Sequence, residues 1–433
     1  MRFFSDIESR SRNIFIKGKM FFNSPKLRLL IILLVASFPS YSALQKICQI
    51  LCMYFKVEES YSNFFSLLIV IIFTIIFSYL FIKILDFFNN TFSSPLKYPI
   101  ILIIIIVIVL ILLFFFIYPA ATSGRFGPGS DRDEALNIAV NALLQGKYPY
   151  YLKTFVPGLP HLMGGDGNPI SPFPGELFIS IPFVLIGNGA YQTFFWLLCA
   201  AWLIKKTTNN STLAFVTLLA ASFLSVGSIY EIVSGGDLLV NGLWVFCSYL
   251  FLFSLRKGQI IQLYGMAFVL GLVFSTRLNF LVIAPFAFGW VAFKYNLKTA
   301  IKFSTIVALS FLVITLPFYL FDPRGFSPLH AYSKLGRFDS LLPYNGVLVP
   351  VLTTLLSFVF ILKLKNSHPG YWFISMAFVL FIPIGVATIL DSLTLGEISF
   401  IDYSWYGLSY IYFIVFGFLI QDRDDLLLSN ADS

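Results

Sequence analysis

Charge is what this chain has least of. Asp, Glu, Lys and Arg make up 12% of its 433 residues, where a soluble domain carries roughly 25%. That deficit excludes an ordinary water-soluble globule. Cysteine is sparse too. Cys48, Cys52, Cys199 and Cys247 each lie inside an apolar run and read as small buried hydrophobes, which excludes a disulfide scaffold. His161, His330 and His368 stand far apart and give no metal-ligand spacing. The basic N-terminal stretch lacks the short apolar core and small-residue cleavage site of a signal peptide, so residues 1–28 are expected to be a retained cytoplasmic arm. The net charge of +8 needs no nucleic acid to explain it, because the loop arrangement below accounts for it.

Long apolar runs are what the chain has in abundance. Tyr98 to Thr122 contains no charged residue and exceeds the ~20 apolar residues that cross a bilayer. Similar runs recur along the chain, too long and too uniform for the alternating strands of a membrane barrel. The fold class expected is an all-α polytopic membrane protein of about 12 transmembrane helices, counted as runs that approach span length.

Charge sets the expected topology. Seven cations, Arg2 to Arg28, against Asp6 and Glu8 place the N-terminus in the cytoplasm. Three spans fill residues 29–121, the first interrupted by Pro39 and Lys46. The loop at 122–189 then lies outside, and a transmembrane bundle fills 190–421. Pro174 to Ile204 reads either as two short spans split at Gly187-Asn188-Gly189 or as a surface helix followed by one span. One crossing leaves ten later cations inside and only Arg277, Arg324, Lys334 and Arg337 outside, so one crossing is preferred. Residues 322–345 form a second outer loop, and 422–433 a cytoplasmic tail. A bacterial cytoplasmic membrane with both termini inside is the expected location. Acids and bases then mix only on the outer face, which also receives Glu176, Glu231 and Asp237.

The first outer loop is the richest polar stretch. Ser130-Asp131-Arg132-Asp133-Glu134 opens a helix with Ser130 as N-cap and Asp133 as a capping-box acid. Leu136, Val140 and Leu143 share one face, expected to lie on the bilayer, and Gly146 with Pro149 ends the helix. The first-turn acids can simply complement the helix dipole. Alternatively Asp133, or Glu134 second, is a general base at the lipid boundary. Asp131-Arg132-Asp133 is also an Asp-x-Asp, a pattern able to hold a divalent cation. Tyr148 and Tyr150 read as an interfacial aromatic belt or as a sugar-stacking wall.

These residues resemble the first outer loop of the GT-C superfamily, membrane glycosyltransferases that include aminoarabinose transferases and protein O-mannosyltransferases. The matching positions are Asp133-Glu134, Ala139, Gly146, Pro149-Tyr150 and Ser171-Pro172-Phe173-Pro174, then Asp237 opening a span, and Gly271 to Arg277. Two extra spans precede the loop, and the family's basic residue before the Pro-rich motif is replaced by Ser171. The resemblance implies juxtamembrane helices in the outer loop and transfer of a sugar, with inversion, from a polyprenyl-phosphate donor to a lipid, glycan or protein acceptor. It implies a place in cell-envelope glycan biosynthesis and no required cofactor. Asp133 would act as base. Asp131, Arg132, Tyr148, Tyr150, Asp237, Arg277, Arg324 and Arg337 would contact substrate, with Arg277 first for the donor phosphate. Asp237 reads equally as the cap of its helix, and Arg277 equally as a cation snorkelling to the interface. Two other readings remain open: an O-antigen-type polymerase or ligase, and a lipid or solute transporter. Transporters place ionisable groups on broken helices near the bilayer midplane.

Overall fold

An apolar run in lipid has no water to satisfy its backbone N–H and C=O groups, so it satisfies them within itself as helix. The computed structural model is about 81% helical. It describes residues 25–56, 59–91, 98–123, 131–155, 167–329 and 336–421. The helices are α1 (Pro25–Ser37), α2 (Tyr41–Tyr54), α3 (Glu59–Thr91), α4 (Pro99–Thr122), α5 (Arg132–Leu144), α6 (Pro174–Leu185), α7 (Gln192–Thr208), α8 (Ser211–Phe223), α9 (Val226–Ser234), α10 (Leu238–Ser254), α11 (Ile260–Phe274), α12 (Ala284–Lys294), α13 (Leu297–Phe321), α14 (Asn345–Leu364), α15 (Pro369–Leu395) and α16 (Ile411–Ile420). Among the described residues, strand is confined to Lys153–Thr154 paired antiparallel with Asn168–Pro169.

Six of these stretches are long and apolar enough to cross a membrane, and eight if two bent pairs each count as one span. This makes the chain a polytopic all-α protein with six to eight candidate spans among the described residues, against the twelve expected. Four runs counted as spans are the shorter apolar helices Leu238–Ser254, Ile260–Phe274, Leu278–Lys294 and Ser404–Ile420. Two further runs, each counted as one crossing, are bent pairs: Pro174–Leu185 and Gly189–Thr208 meet at 98°, at the Gly187-Asn188-Gly189 split, and Ser211–Phe223 meets Val226–Ser234 at 84°. The interruption expected at Pro39 is a 3-10 turn, Phe38–Ser40, between α1 and α2, where proline supplies no amide hydrogen.

Apolar runs divide into two kinds. Helix α10 buries 15 of its 17 residues, among them Trp244, Phe246 and Tyr249. It is apolar all round because it is surrounded by protein. Helix α13 has only 17% of its apolar window buried, and Val313, Leu320 and Phe321 stand exposed. An apolar surface of that extent is a lipid-facing surface.

A second, smaller core lies under the first outer loop. Leu136, Ala139 and Val140 of α5 pack with Tyr150, Phe173, Leu177, Val184 and Phe326. The apolar face of α5 was expected to lie on the bilayer. It is instead covered by Leu177 and Val184 of α6 and by Tyr150, Phe173 and Phe326. At its end Gly146 takes φ +70 and its N–H donates to Leu143 O at 3.0 Å, the left-handed stop expected there. Ser130, the expected N-cap, lies outside the described residues, and Asp131 occupies the position before the helix without a side-chain cap bond.

Candidate functional site

Successive residues on a helix point about 100° apart, so three polar residues in a row cannot share one partner. The first turn of α5 shows the consequence. Asp131 Oδ2 accepts from Thr154 Oγ1 at 2.6 Å and Asn168 Nδ2 at 2.9 Å, tying the helix to the short strand pair. Arg132 turns toward α9 and α10, with Nη1 3.5 Å from Glu231 Oε1 and Nε 3.9 Å from Asp237 Oδ1. Asp133 turns toward α4, where the Tyr118 hydroxyl donates to its Oδ2. Asn188, in the bend after α6, donates to Tyr118 Oη at 2.6 Å. Asp131 and Asp133 thus face different partners. Among the described residues no group of three or more His, Cys, Asp or Glu could hold a metal ion.

Asp133 is 3% exposed, and its Oδ1 has no hydrogen-bond partner. Burial pushes its carboxyl up to about 7; the Tyr118 hydroxyl and the first-turn amides oppose that rise, and the neighbouring Glu134 adds to it. Glu134 itself is exposed, and partial burial with the nearby Asp131 charge raises it above the ordinary range.

Beside Asp133 lies a buried ionic cluster. Arg277, between α11 and α12, has Nε 3.1 Å from Glu176 Oε2, and its guanidinium also contacts the Asp237 carboxylate. Asp237 therefore sits between Arg132 and Arg277. Asn241 Nδ2 donates to Glu176 Oε1 at 3.3 Å. Asp237 precedes α10 but makes no side-chain cap bond. Glu231 caps instead, accepting from Leu238 N at 2.7 Å, which leaves Asp237 for the two guanidiniums. Glu176, Glu231 and Asp237 are all buried. Three carboxylates face two guanidiniums, so full ionisation would leave one net negative charge. At that burial the cluster must carry an extra proton or cation.

Two glycines make this packing possible. A Cβ at Gly236 would collide with the Glu231 carboxylate. A Cβ at Gly175 would collide with the carbonyl oxygens of Leu272 and Ser275. The Gly175 amide donates to Ser275 O at 2.9 Å, which seats the start of α6 against the end of α11 and sets Glu176 beside Arg277.

Arg132, Asp237 and Arg277 are thus brought together, with Asp133 on the adjoining turn. Other expected site residues lie elsewhere. Tyr150 is 4% exposed in the second core and donates to Pro172 O at 3.1 Å. Tyr148 donates to Phe318 O at 2.8 Å. Both tyrosines fasten the outer loop to its neighbours. Arg324 follows α13, its amide donating to Asp322 Oδ1 at 3.1 Å. Arg337 forms a separate pair with Asp391 at 2.9 Å and Asp402 at 3.1 Å. Lys334 lies outside the described residues.

Sequence reasoning placed Glu176 and Glu231 on the outer face but gave them no role, and missed Tyr118, Asn188 and Asn241. The available signal was an isolated acid in an apolar helix, which is costly to bury and therefore partnered. Comparison with protein-family models, with curated proteins and with solved structures yields no match.

Proposed function

We propose that the chain is a membrane glycosyltransferase that moves a sugar from a polyprenyl-phosphate donor to a lipid, glycan or protein acceptor. Asp133 carries this reading. A carboxyl that titrates near 7 is matched to accepting a proton from an attacking hydroxyl at neutral pH. Its unpartnered Oδ1 is the atom for that proton, and Tyr118 with Asn188 fixes the other oxygen. Asp237 orients Arg132 and Arg277. Arg277 Nη1, 3.4 Å from Ser171 Oγ, is the edge left for the donor phosphate, and Ser171 opens the Pro-rich motif of the resemblance. The full expectation of twelve crossings, cytoplasmic termini and the bacterial inner membrane belongs to this proposal.

The reaction needs no redox partner. The acceptor oxygen bonds to the anomeric carbon, the bond to the phosphate oxygen breaks, the acceptor proton passes to Asp133 and the polyprenyl phosphate leaves with the electron pair.

The test is incubation of purified protein with a panel of radiolabelled polyprenyl-phosphate sugars in liposomes that supply lipid acceptors. Labelled product from the wild type, absent with Asp133→Asn, is the expected result. A second reading, lipid or solute transport, is favoured by the two bent helix pairs and by Glu231, buried in one of their arms. The same liposomes separate the two readings. Movement of unmodified labelled lipid between leaflets without any product would replace transfer by transport.

A further inference from the structure

At the opposite end of α10 and α11 from the ionic cluster lies a cavity of about 830 Å³. The 17 residues of α10 separate the two by about 25 Å at 1.5 Å per residue. Five cations line the cavity: Lys206, Arg256, Lys257, Lys294 and Lys365. They come from the ends of α7, α12 and α14 and from the turn between α10 and α11. No Asp or Glu lines it among the described residues, and none of the five cations is in a salt bridge there.

The floor is aromatic. Phe253 stacks on Trp290 at 4.0 Å, and Trp372 meets Trp290 edge-on at 5.4 Å. The ammonium of Lys294 sits 5.4 Å over the Trp290 ring, and that of Lys365 5.9 Å from Phe293. Trp372 donates its indole N–H to Leu364 O at 3.1 Å, whereas the buried Trp290 Nε1 has no hydrogen-bond partner. Exposed apolar side chains lie at its edge: Phe293 lines it, and the ring of Trp202 sits 4.7 Å from the Lys206 ammonium.

A bias of cations toward one face is expected of any membrane protein. Lys205 and Lys363 belong to the same chain segments, and Lys298 and Lys302 to the helix that follows α12, yet none of the four lines this cavity. Topology alone does not require five cations from four chain segments to converge on one aromatic-floored cavity without a counter-ion. Gathering like charges costs energy unless an anion joins them.

We infer that this cavity binds a phosphate-bearing anion at the membrane surface, with the phosphate among the five cations and its apolar portion against the Trp290–Phe253 floor. The phosphate could be held by a lipid or be free in solution; the aromatic floor and the exposed apolar rim favour the lipid. This site is independent of the proposed transfer chemistry.

The experiment uses the full chain in an uncharged detergent, followed by tryptophan fluorescence and by thermal unfolding. The probes are short-chain phosphatidylglycerol, short-chain phosphatidylcholine and inorganic phosphate. Phosphatidylglycerol should change both signals saturably, and the double variant Lys294→Gln/Lys365→Gln should bind it about tenfold or more weakly, as expected for loss of charge-assisted contacts. Trp290→Phe should keep the thermal shift and lose most of the fluorescence change. A response to inorganic phosphate equal to that for phosphatidylglycerol would support the anion site and assign it to a soluble ligand. Equal responses to both lipids, or unchanged affinity in the double variant, would overturn the site. Binding that arises only after removal of residues 422–433, with Asp422, Asp424 and Asp425, would give the cavity to that segment and overturn it too.

Discussion

The two ends of helix α10 handle charge in opposite ways. At its start, Asp237 is 2% exposed and lies between Arg132 and Arg277, with Glu231 and Glu176 close by. At its end, Arg256 and Lys257 join Lys206, Lys294 and Lys365 around an open cavity. A buried charge has to be paired and hydrogen-bonded, so the first end is built from opposite signs and accepts close-fitting glycines. A charge at a cavity mouth keeps part of its water, so like charges can gather there, at an energy cost that an anion from outside the chain would offset. The difference teaches that one end balances most of its charge within the protein, while the other leaves its cations to be balanced from outside the chain.

The contrast is broken most directly at Arg277. Arg277→Ala leaves Glu176 and Asp237 buried without that cation and should cost about 3–5 kcal/mol, read as a large drop in the thermal midpoint in detergent. Lys257→Ala at the other end should cost less than about 0.5 kcal/mol. Equal effects would end the distinction between a paired and a displayed end.

Asp133→Asn comes next in size. It keeps the shape and the contact with Tyr118 but removes the base. Sugar transfer should fall by about 10²-fold or more while the protein still inserts and elutes as a single species. Full transfer in this variant would return the first-turn acids to dipole complementation.

A smaller effect concerns pH. The folded Asp133 carboxyl lies above its unfolded value of 3.8, at about 7. Its contribution to stability is therefore fully present below about 3.8 and is lost as the pH climbs to about 7. Transfer, which needs the ionised form, should rise through the same upper limit. Tyr118→Phe removes a hydrogen bond that favours the ionised form, so the activity profile should move up by about one unit. A profile unmoved by this change would detach Asp133 from Tyr118.

The smallest effect belongs to Gly146. A Cβ there meets nothing within 4 Å, so Gly146→Ala should cost only the left-handed backbone penalty, about 1 kcal/mol. A much larger loss would mean that the end of α5 positions Asp133 more tightly than its contacts suggest.

Much of the fold could be read from the residues. The span at Tyr98–Thr122 appears as α4, and α5 begins and ends within a residue or two of the expected positions. Asp237 and Arg277 were read as separate site candidates, forty residues apart, and they meet. The number of spans was less legible. The run at 212–229 reads as one span by composition, but only the three-dimensional structure shows it as two helices, Ser211–Phe223 and Val226–Ser234, that meet at 84°.

By itself the sequence determined that the chain enters a membrane, because long uncharged runs have no other stable home, and it determined where helix α5 stops, because a glycine such as Gly146 acts within one turn. Only the tertiary structure decided which charges meet. Glu176 pairs with a residue about a hundred positions away, Glu231 caps α10 in place of Asp237, and the five cations of the opposite cavity come from four distant segments. Each of these depends on the direction a side chain takes and on which helix arrives beside it, quantities that local spacing does not carry.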